Sequence, residues 1–335
     1  MRLSDFDYAL DESSIARHPA ERRDGSRLLV VDRSSGALTH TTFARVGEHL
    51  AAGDLLVANN SRVIRARLSA TKVGTGGRVE VFLVEPTQDD RTWRALLRPA
   101  KKVRVGAELA IGDDVAVVEA LEGDGFGVLR LPRAGAAVAA DHGALPLPPY
   151  IDRPAGPEDE ERYQTIFARE GLERSVAAPT AGLHFTDGLV EQLASQGVGL
   201  EKVTLHVGPG TFLPVRTDDV TDHKMHSEAF ELSDAAAARI EAAKRVVSVG
   251  TTSTRVLETV GRPVRAAEGR TELFIRPGFA FAVVGAMITN FHLPKSTLLM
   301  LVCAFGGRDL ILGAYEEARD AGYRFYSYGD AMLIL

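Results

Sequence analysis

Histidine, glycine and hydroxyl side chains gather at the ends of apolar stretches in the C-terminal half of this 335-residue chain. Five of the nine histidines stand in such clusters, among them His184, His206 and His292. Imidazole titrates near neutral pH, and glycine lets a ligand approach the backbone closely. A β-branched run that stops in glycine and polar side chains is typical of a strand that opens into a ligand crevice. The clusters therefore predict a catalytic pocket at the mouth of a sheet.

The segment 250–255, with the sequence GTTSTR, follows the apolar run 246–249. A strand, a glycine turn and hydroxyl residues that open a helix present free N–H groups and the positive end of the helix dipole to an anion. An ordinary helix N-cap, which prefers Ser and Thr, is the alternative. Because the segment lacks the lysine of a P-loop, nucleotide hydrolysis does not fit it.

Candidates for proton transfer and for metal binding can be separated by spacing. His223 and His226 stand three residues apart with Glu228 beyond them, but the His-Glu-x-x-His pattern of a metal-binding helix is absent. We therefore expect no metal. His184 and His206, each followed closely by an aromatic residue or glycine, are better candidates for general acid or base catalysis. A buried structural histidine is the alternative for each.

Two further groups of residues suggest contacts with a nucleic acid. Asn59 and Asn60 follow an apolar strand, where their amides suit a base edge or a ribose hydroxyl, and a plain turn is the alternative. Alternating arginines on an extended segment suit phosphates, and a solvated strand face is the alternative. The basic candidates are Arg62, Arg65, Arg67, Lys101, Lys102 and Arg104.

Composition places the chain among ordinary globular proteins, with 45% hydrophobic and 25% charged residues and a net charge of −6. The acidic N-terminus carries no apolar leader, and the two most apolar stretches, 279–288 and 298–305, fall short of the roughly 18–20 residues that cross a bilayer. We expect a cytoplasmic protein without a membrane partner. The single cysteine, Cys303, excludes an intrachain disulfide, and its apolar neighbours favour an inert core thiol.

The order of apolar segments predicts two domains. Between residues 69 and 131, four short strands (78–84, 92–97, 115–121 and 126–131) alternate with glycine and aspartate turns, as in a small antiparallel barrel or sandwich. The proline-rich segment 145–150 follows as an exit linker. Helices and strands alternate on both sides of this module. We therefore expect an α/β domain with a mixed sheet, residues 1–67 and 151–335, and an inserted antiparallel β-barrel domain, residues 68–150.

Read in order, these blocks resemble the S-adenosylmethionine:tRNA ribosyltransferase-isomerases of the queuosine pathway. The resemblance covers nearly the whole chain. The sequence departs from the family pattern at Arg17 and Arg65, where Gln and Pro are expected. Its connection at 260–271 is also short. The blocks that carry it include NNSRVI at 59–64, APTAGLHF at 178–185, HVGPGTF at 206–212, GTTSTR at 250–255 and TNFHLPKST at 289–297.

This resemblance implies a reaction. The ribosyl part of S-adenosylmethionine would be transferred to the aminomethyl group of 7-aminomethyl-7-deazaguanine at the wobble position of tRNA. It would then rearrange to the epoxycyclopentanediol of epoxyqueuosine, with release of adenine and methionine. S-adenosylmethionine is then a consumed cosubstrate, no metal is implied, and we expect a monomer. The fold it implies is a larger α/β domain with a smaller β-barrel.

The resemblance also implies roles for the candidate residues. His184 and His206 would take the C5′ proton and protonate the departing adenine, in either order, with Glu228 near the sulfonium or the amine. Segment 250–253 would hold the methionine carboxylate, and Phe185, Phe212 or Phe291 would stack on a base. The full set expected at the cosubstrate site is Asn59, Asn60, Thr180, Gly182, Gly208, Gly210, Thr211, Gly250, Thr251, Thr252, Ser253, Asn290 and His292.

Two other classes of function fit parts of the pattern. A metal-dependent hydrolase would use the histidines as ligands and would lose activity in EDTA. A non-enzymatic RNA-binding module would keep the histidines as structural residues and release no adenine from S-adenosylmethionine.

Overall fold

The computed structural model describes residues 1–212, 215 and 217–335, with the backbone alone at Thr211 and Phe212. Eighteen strands lie in these residues. They are β1 Arg27–Val31, β2 Leu38–Thr42, β3 Asp54–Asn59, β4 Arg62–Val63, β5 Arg67–Lys72, β6 Arg78–Pro86, β7 Thr92–Arg98, β8 Glu108–Ile111, β9 Asp114–Gly123, β10 Phe126–Arg130, β11 Gly143–Ala144, β12 Glu173–Ser175, β13 Gly199–Leu205, β14 Glu228–Leu232, β15 Arg245–Val249, β16 Ala267–Thr271, β17 Val284–Asn290 and β18 Ala331–Ile334.

Seven α-helices accompany the strands in the same residues, together with several 3-10 turns, of which Phe43–His49 is the longest. The helices are α1 Gly135–His142, α2 Pro157–Arg162, α3 Asp187–Ser195, α4 Asp234–Ala242, α5 Gly250–Val260, α6 Thr297–Gly306 and α7 Arg308–Asp320.

A nine-stranded mixed sheet forms the larger part of the molecule, in the order β16-β14-β13-β3-β15-β17-β18-β1-β2. Strands β13, β3, β15 and β17 run parallel, and antiparallel partners flank them on both sides. Alternate residues of β3 enter the cores on opposite faces of the sheet, Leu55 and Val57 on one and Leu56 and Ala58 on the other. Both faces are therefore covered, and the predicted α/β fold with a mixed sheet is confirmed.

The second body is a closed antiparallel barrel. Strands β5, β6, β7, β10, β9 and β8 pair in that order, and β5 pairs again with β8. The sequence predicted four of these strands, and the barrel itself is confirmed. The two that close it were missed, because β8 has only four residues and β5 has only two apolar side chains, Leu68 and Ala70. The domain bounds at 67/68 and 150/151 stay a prediction.

The proline-rich segment 145–150 is a packed connection rather than a loose linker. Leu145 and Leu147 are only 4% and 5% exposed, and they pack in one core cluster with Ile151 and Tyr163. Proline removes backbone freedom without removing apolar surface, so this composition suits a buried connection as well as a spacer. The exit of the barrel is therefore fixed against the larger body.

The apolar stretch 298–305 forms helix α6, which is buried in the main core. Its Cys303 is 1% exposed, and burial raises the pKa of this thiol to about 12, as expected of an inert core cysteine. In the described parts of the chain, no single helix has both the length and the apolar composition to cross a membrane. Helices α6 and α7 reach that length only together, and they meet at 113°.

A buried carboxylate joins the connection after the barrel to the C-terminal segment. Asp159 is fully buried and accepts hydrogen bonds from both Nη atoms of Arg153, at 2.7 and 2.8 Å, and from the Tyr328 hydroxyl at 2.7 Å. Although burial opposes ionisation, these hydrogen bonds hold the pKa of Asp159 down at about 2. The ionised carboxylate therefore stabilises the fold at neutral pH.

Replacing this carboxylate should destabilise the protein strongly. Asp159→Ala leaves the Arg153 guanidinium without its partner, and we expect a loss of about 3–5 kcal/mol in urea unfolding at pH 7. Because the folded pKa is lowered, this contribution should fade as the pH falls below about 4 toward 2. Glu158→Ala, on the same helix but 57% exposed, is the matched control. A loss under about 1 kcal/mol for Asp159→Ala would contradict this account.

Candidate functional site

The largest polar clusters of the sequence do meet at one mouth of the nine-stranded sheet. A cavity of about 730 Å³, here called the sheet-mouth cavity, lies beyond the ends of β15 and β17. Residues that line it include Thr180, Gly250, Thr251, Thr252, Asn290 and His292. All six were predicted as cosubstrate contacts, and the structure brings them together.

Helix α5 points its N-terminus into this cavity. The helix begins at Gly250, whose φ of +88° is a left-handed conformation that favours glycine. Thr252 Oγ1 is buried and has no hydrogen-bond partner among the described residues. Ser253, in contrast, turns its hydroxyl back to the carbonyl of Val249, at 3.1 Å, and does not line the cavity. The free N–H groups and the open threonine hydroxyl make an anion-binding surface.

A buried ion pair supplies the charge of the cavity. Glu228 and Arg255, at 5% and 6% exposure, are hydrogen-bonded to each other, and they are the only charged side chains that line it among the described residues. Glu228 Oε1 also accepts the backbone N–H of Gly208 at 2.8 Å. The guanidinium of Arg255 donates further to the carbonyls of Thr271 and Leu273. The carboxylate is therefore held in one position by three separate elements.

Arg255 was not predicted as a site residue. It ends the GTTSTR segment, and a charged residue in the second turn of a helix usually faces solvent. Its identity was visible in the sequence, but its burial depends on the pairing of β14 with β16, neither of which was predicted as a strand.

Asn290, His292 and Tyr326 form the opposite wall. Asn290 donates its amide to the Tyr326 carbonyl at 3.0 Å, while its Oδ1 is buried without a partner among the described residues. His292 Nε2 is hydrogen-bonded to the Thr289 hydroxyl at 2.8 Å, and burial lowers its pKa to about 3, so the ring is neutral. Tyr326 has a φ of +73°, a conformation that costs a non-glycine residue about 1–3 kcal/mol and is common at functional sites.

A second cavity of about 780 Å³, here the barrel-side cavity, lies between the barrel and the nine-stranded sheet. Glu228 lines both cavities, so they share a wall. His206 lies here with Gly208, facing Arg94 and Phe126 of the barrel. Burial, with a smaller contribution from nearby Arg174, lowers the pKa of His206 to about 4, and its Nδ1 has no partner among the described residues. This imidazole is neutral at pH 7 and free to accept a proton.

His184 lies outside both cavities. It is 4% exposed, stacks on Phe43 with ring centroids 4.9 Å apart, and forms a 2.7 Å hydrogen bond from Nδ1 to the Ser26 hydroxyl. Burial lowers its pKa to about 4, and the neighbouring Asn290 side chain offsets part of that effect. Of the residues expected at the pocket, Thr252 and Asn290 line the sheet-mouth cavity, whereas His184 and His206 do not.

Several other predicted contacts lie away from the sheet-mouth cavity. The side-chain amide of Asn59 is hydrogen-bonded to the backbone. It donates to the Leu205 carbonyl at 2.9 Å and accepts the N–H groups of Ser61 and Leu205. Asn60 Oδ1 accepts the hydroxyl of Thr204 at 2.8 Å. Gly182 packs under Thr165, and Gly210 lies with His223 and His226 in a third cavity of about 470 Å³. The side chain of Thr211 lies outside the described residues.

The third cavity shows no metal-binding geometry. In the described residues, no three side chains of His, Cys, Asp or Glu come together as a group that would hold a metal ion. His223 instead packs its ring edge-on against Phe274, at 5.5 Å between centroids.

The six basic candidates divide into two sets. Arg62, Arg65 and Arg67 each lie within 4 Å of a glutamate, at 3.9, 3.1 and 3.8 Å respectively. Lys101, Lys102 and Arg104 are exposed, and no acidic side chain of residues 1–212, 215 or 217–335 lies within 4 Å of them. The second set therefore carries the free positive charge.

The aromatic residues of the site differ from those expected. Phe185 is fully buried against Phe43 and Phe167, and the side chain of Phe212 lies outside the described residues. Phe291 touches the cavity but is fully buried. Tyr150 and Tyr326, with ring centroids 4.7 Å apart, are instead the tyrosines that line the cavity. The two tyrosines lie far apart in the sequence, so the sequence does not indicate that they form a pair.

Comparisons with known proteins cover the whole chain. A family model described as "Queuosine biosynthesis protein" matches residues 3–334. A protein of Anaeromyxobacter dehalogenans (strain 2CP-C), named S-adenosylmethionine:tRNA ribosyltransferase-isomerase, is 54% identical in an alignment of 346 positions that covers 100% of this chain and 99% of the relative. A protein of Symbiobacterium thermophilum with the same name is 50% identical and is covered completely. The crystal structure of S-adenosylmethionine tRNA ribosyltransferase from Thermotoga maritima is similar with a TM-score of 0.56 and 36% identity, over 99% of this chain and 100% of that one.

The two histidines should respond differently to truncation. His184→Ala removes a buried ring and should cost roughly 2–4 kcal/mol of stability, whereas His206→Ala, at a cavity wall, should cost less than about 1 kcal/mol. Urea unfolding of both variants and the parent measures this difference. Equal losses for the two variants would contradict the placement of His184 in the core.

Proposed function

Since the chain belongs to the queuosine biosynthesis protein family, we propose that it acts as an S-adenosylmethionine:tRNA ribosyltransferase-isomerase. The ribosyl group of S-adenosylmethionine passes to the aminomethyl group of 7-aminomethyl-7-deazaguanine at the tRNA wobble position and rearranges to epoxyqueuosine, and adenine and methionine leave. The observation that carries this proposal is the shared wall at Glu228. A transfer between two bound substrates needs two adjoining sites, and these two cavities share the Glu228 side chain as a wall.

S-adenosylmethionine occupies the sheet-mouth cavity in this proposal. Its methionine carboxylate meets the N-terminus of α5, where Gly250, Thr251 and Thr252 offer N–H groups and one unpartnered hydroxyl. Its sulfonium lies near Glu228, the carboxylate that lines this cavity. Thr180, Asn290 and His292 contact the purine or the ribose. Asn290 supports that role by its place on the cavity wall, where its side chain also neighbours His184.

The modified base of the tRNA occupies the barrel-side cavity. There His206, a neutral imidazole, accepts a proton from the aminomethyl nitrogen as that nitrogen forms its bond to the ribosyl carbon. Glu228 faces the same nitrogen through the shared wall and favours the positive charge that develops on it. The N–H of Gly208 donates to the Glu228 carboxylate and fixes its position in this wall.

His184 acts in this proposal through Asn290 rather than on the substrate. Its ring lies beside the Asn290 side chain on the core side of the cavity wall. Asn59 and Asn60 are hydrogen-bonded to β13, and Ser253 is hydrogen-bonded within the start of α5, so these residues have structural roles.

The anticodon loop lies across the barrel side of the molecule. Lys101, Lys102 and Arg104 contact its phosphates, because their charge has no nearby acidic partner in the described chain. Arg62, Arg65 and Arg67 would first have to exchange their glutamate neighbours for phosphate. We further propose that the protein is a cytoplasmic monomer that uses no metal.

The pH dependence tests the role of His206. Because the pKa of this ring is lowered to about 4, it stays neutral down to about pH 5 and loses its ability to accept a proton only below that. We expect kcat/KM to fall as the pH drops through about 4, and His206→Gln to lose this limb together with at least about 100-fold in rate. An acidic limb centred near 6.5 would contradict the assignment.

Adenine release tests the reaction itself. The protein mixed with S-adenosylmethionine and a tRNA that carries 7-aminomethyl-7-deazaguanine should release one adenine per modified tRNA. Glu228→Gln, which keeps the shape but removes the charge, should reduce the rate by about 100-fold or more. Turnover that survives EDTA removes the metal-dependent hydrolase. Binding of the tRNA without any adenine would favour the RNA-binding module instead.

A further inference from the structure

A fourth cavity, of about 540 Å³, lies on the outer face of the barrel, where the proline-rich connection and Pro209 cover it. We call it the barrel groove. Its floor is apolar, with Phe82 of β6 and Leu96 of β7 as directly paired residues in the ladder. On the other side Arg67 of β5 pairs with Phe82. An aromatic ring, an aliphatic side chain and a guanidinium thus form one row across three strands.

The charges at this groove leave a positive excess. Arg67 and Arg98 both flank Glu80, at 3.8 and 3.9 Å, so two cations share one carboxylate. The Arg98 side chain is 65% exposed. Arg67 Nε has no hydrogen-bond partner among the described residues. An apolar floor with a cationic rim is the pattern that binds a nucleobase and its phosphate in single-stranded nucleic acids.

The groove continues directly into the barrel-side cavity. Arg94, Leu96 and Arg98 alternate along β7 and so share its outer face, and Arg94 lines the barrel-side cavity while the other two line the groove. Pro209 lines both cavities. Neighbouring positions on one strand face are about 7 Å apart, a step that one unstacked nucleotide can span.

We propose that the barrel groove binds the base of the nucleotide next to the wobble nucleotide, with Leu96 and the 9% exposed Phe82 ring as its apolar floor and Arg98 on its phosphate. This inference rests on the proposed function, because the wobble base is taken to occupy the barrel-side cavity. It assigns recognition of the flanking nucleotide to a site separate from the reacting groups. The groove then fixes the strand so that the wobble base is held unstacked in the adjoining cavity.

Abasic substitution of the RNA tests the groove. Three modified anticodon stem-loops are compared by fluorescence anisotropy without S-adenosylmethionine: one intact, one abasic on the 5′ side of the wobble nucleotide and one abasic on the 3′ side. One of the two abasic RNAs should bind the parent protein about 5- to 100-fold more weakly. Phe82→Leu keeps apolar volume but removes the ring. This variant should bind the intact RNA more weakly than the parent does. Its affinities for the intact and the abasic RNA should differ by less than about twofold, because the protein change and the RNA change remove the same contact.

Arg98→Ala changes an exposed residue and should fold normally. It should raise the KM for the stem-loop several-fold and leave the KM for S-adenosylmethionine unchanged. Arg78→Ala, an exposed arginine on β6 outside the groove, is the matched control and should change neither.

Three results would overturn the inference: no penalty for either abasic RNA, the same penalty in Phe82→Leu as in the parent, or equal effects of Arg98→Ala and Arg78→Ala. A groove that binds a peptide or another partner would give these results. Adenine release by the parent protein with the intact stem-loop is measured separately, so a failure of the groove is distinguished from a failure of the proposed function.

Discussion

The buried pair of Glu228 and Arg255 is the interaction on which the whole site depends. Two charges at about 5% exposure are tolerable only because each is neutralised and hydrogen-bonded, and removing one partner of such a pair typically costs about 3–5 kcal/mol. The pair brings together the start of β14, the interior of α5 and the Gly208 backbone. It also stands where three cavities adjoin. The same contact therefore holds the fold locally and fixes a carboxylate at the cavity wall.

The sequence predicted the fold well where the residues of one element determine its own secondary structure. Apolar runs predict strands at 26–33, 54–58 and 246–249 and helices at 187–196, 233–244 and 309–321. Strands β1, β3 and β15 and helices α3, α4 and α7 lie within a few residues of these bounds. Elements stabilised mainly by their neighbours were missed. Strand β16 has the sequence AEGRT, and only its pairing with β14 makes it a strand. Helix α6 is apolar on all sides, so its composition carries no period that would separate a helix from a buried strand.

The site was predictable as a collection of residue types but not as an arrangement. The clusters at 250–252 and 289–292 meet because parallel strands β15 and β17 are neighbours and end at the same edge. His184 and His206 follow similar motifs, yet one packs into the core behind Asn290 and the other faces the barrel. The spacing of residues along the chain does not predict on which side of the cavity wall each histidine ring lies. Arg255 and Tyr326 were equally hidden, since their burial and backbone conformation follow from contacts distant in sequence.

Closure of the barrel has a consequence for solubility. A β-sheet edge offers unpaired N–H and C=O groups to any passing chain, and open sheets risk pairing with one another. The second ladder between β5 and β8 joins all six strands into a ring. The barrel can thus display apolar and basic side chains outward without offering an unpaired strand edge as a template for aggregation.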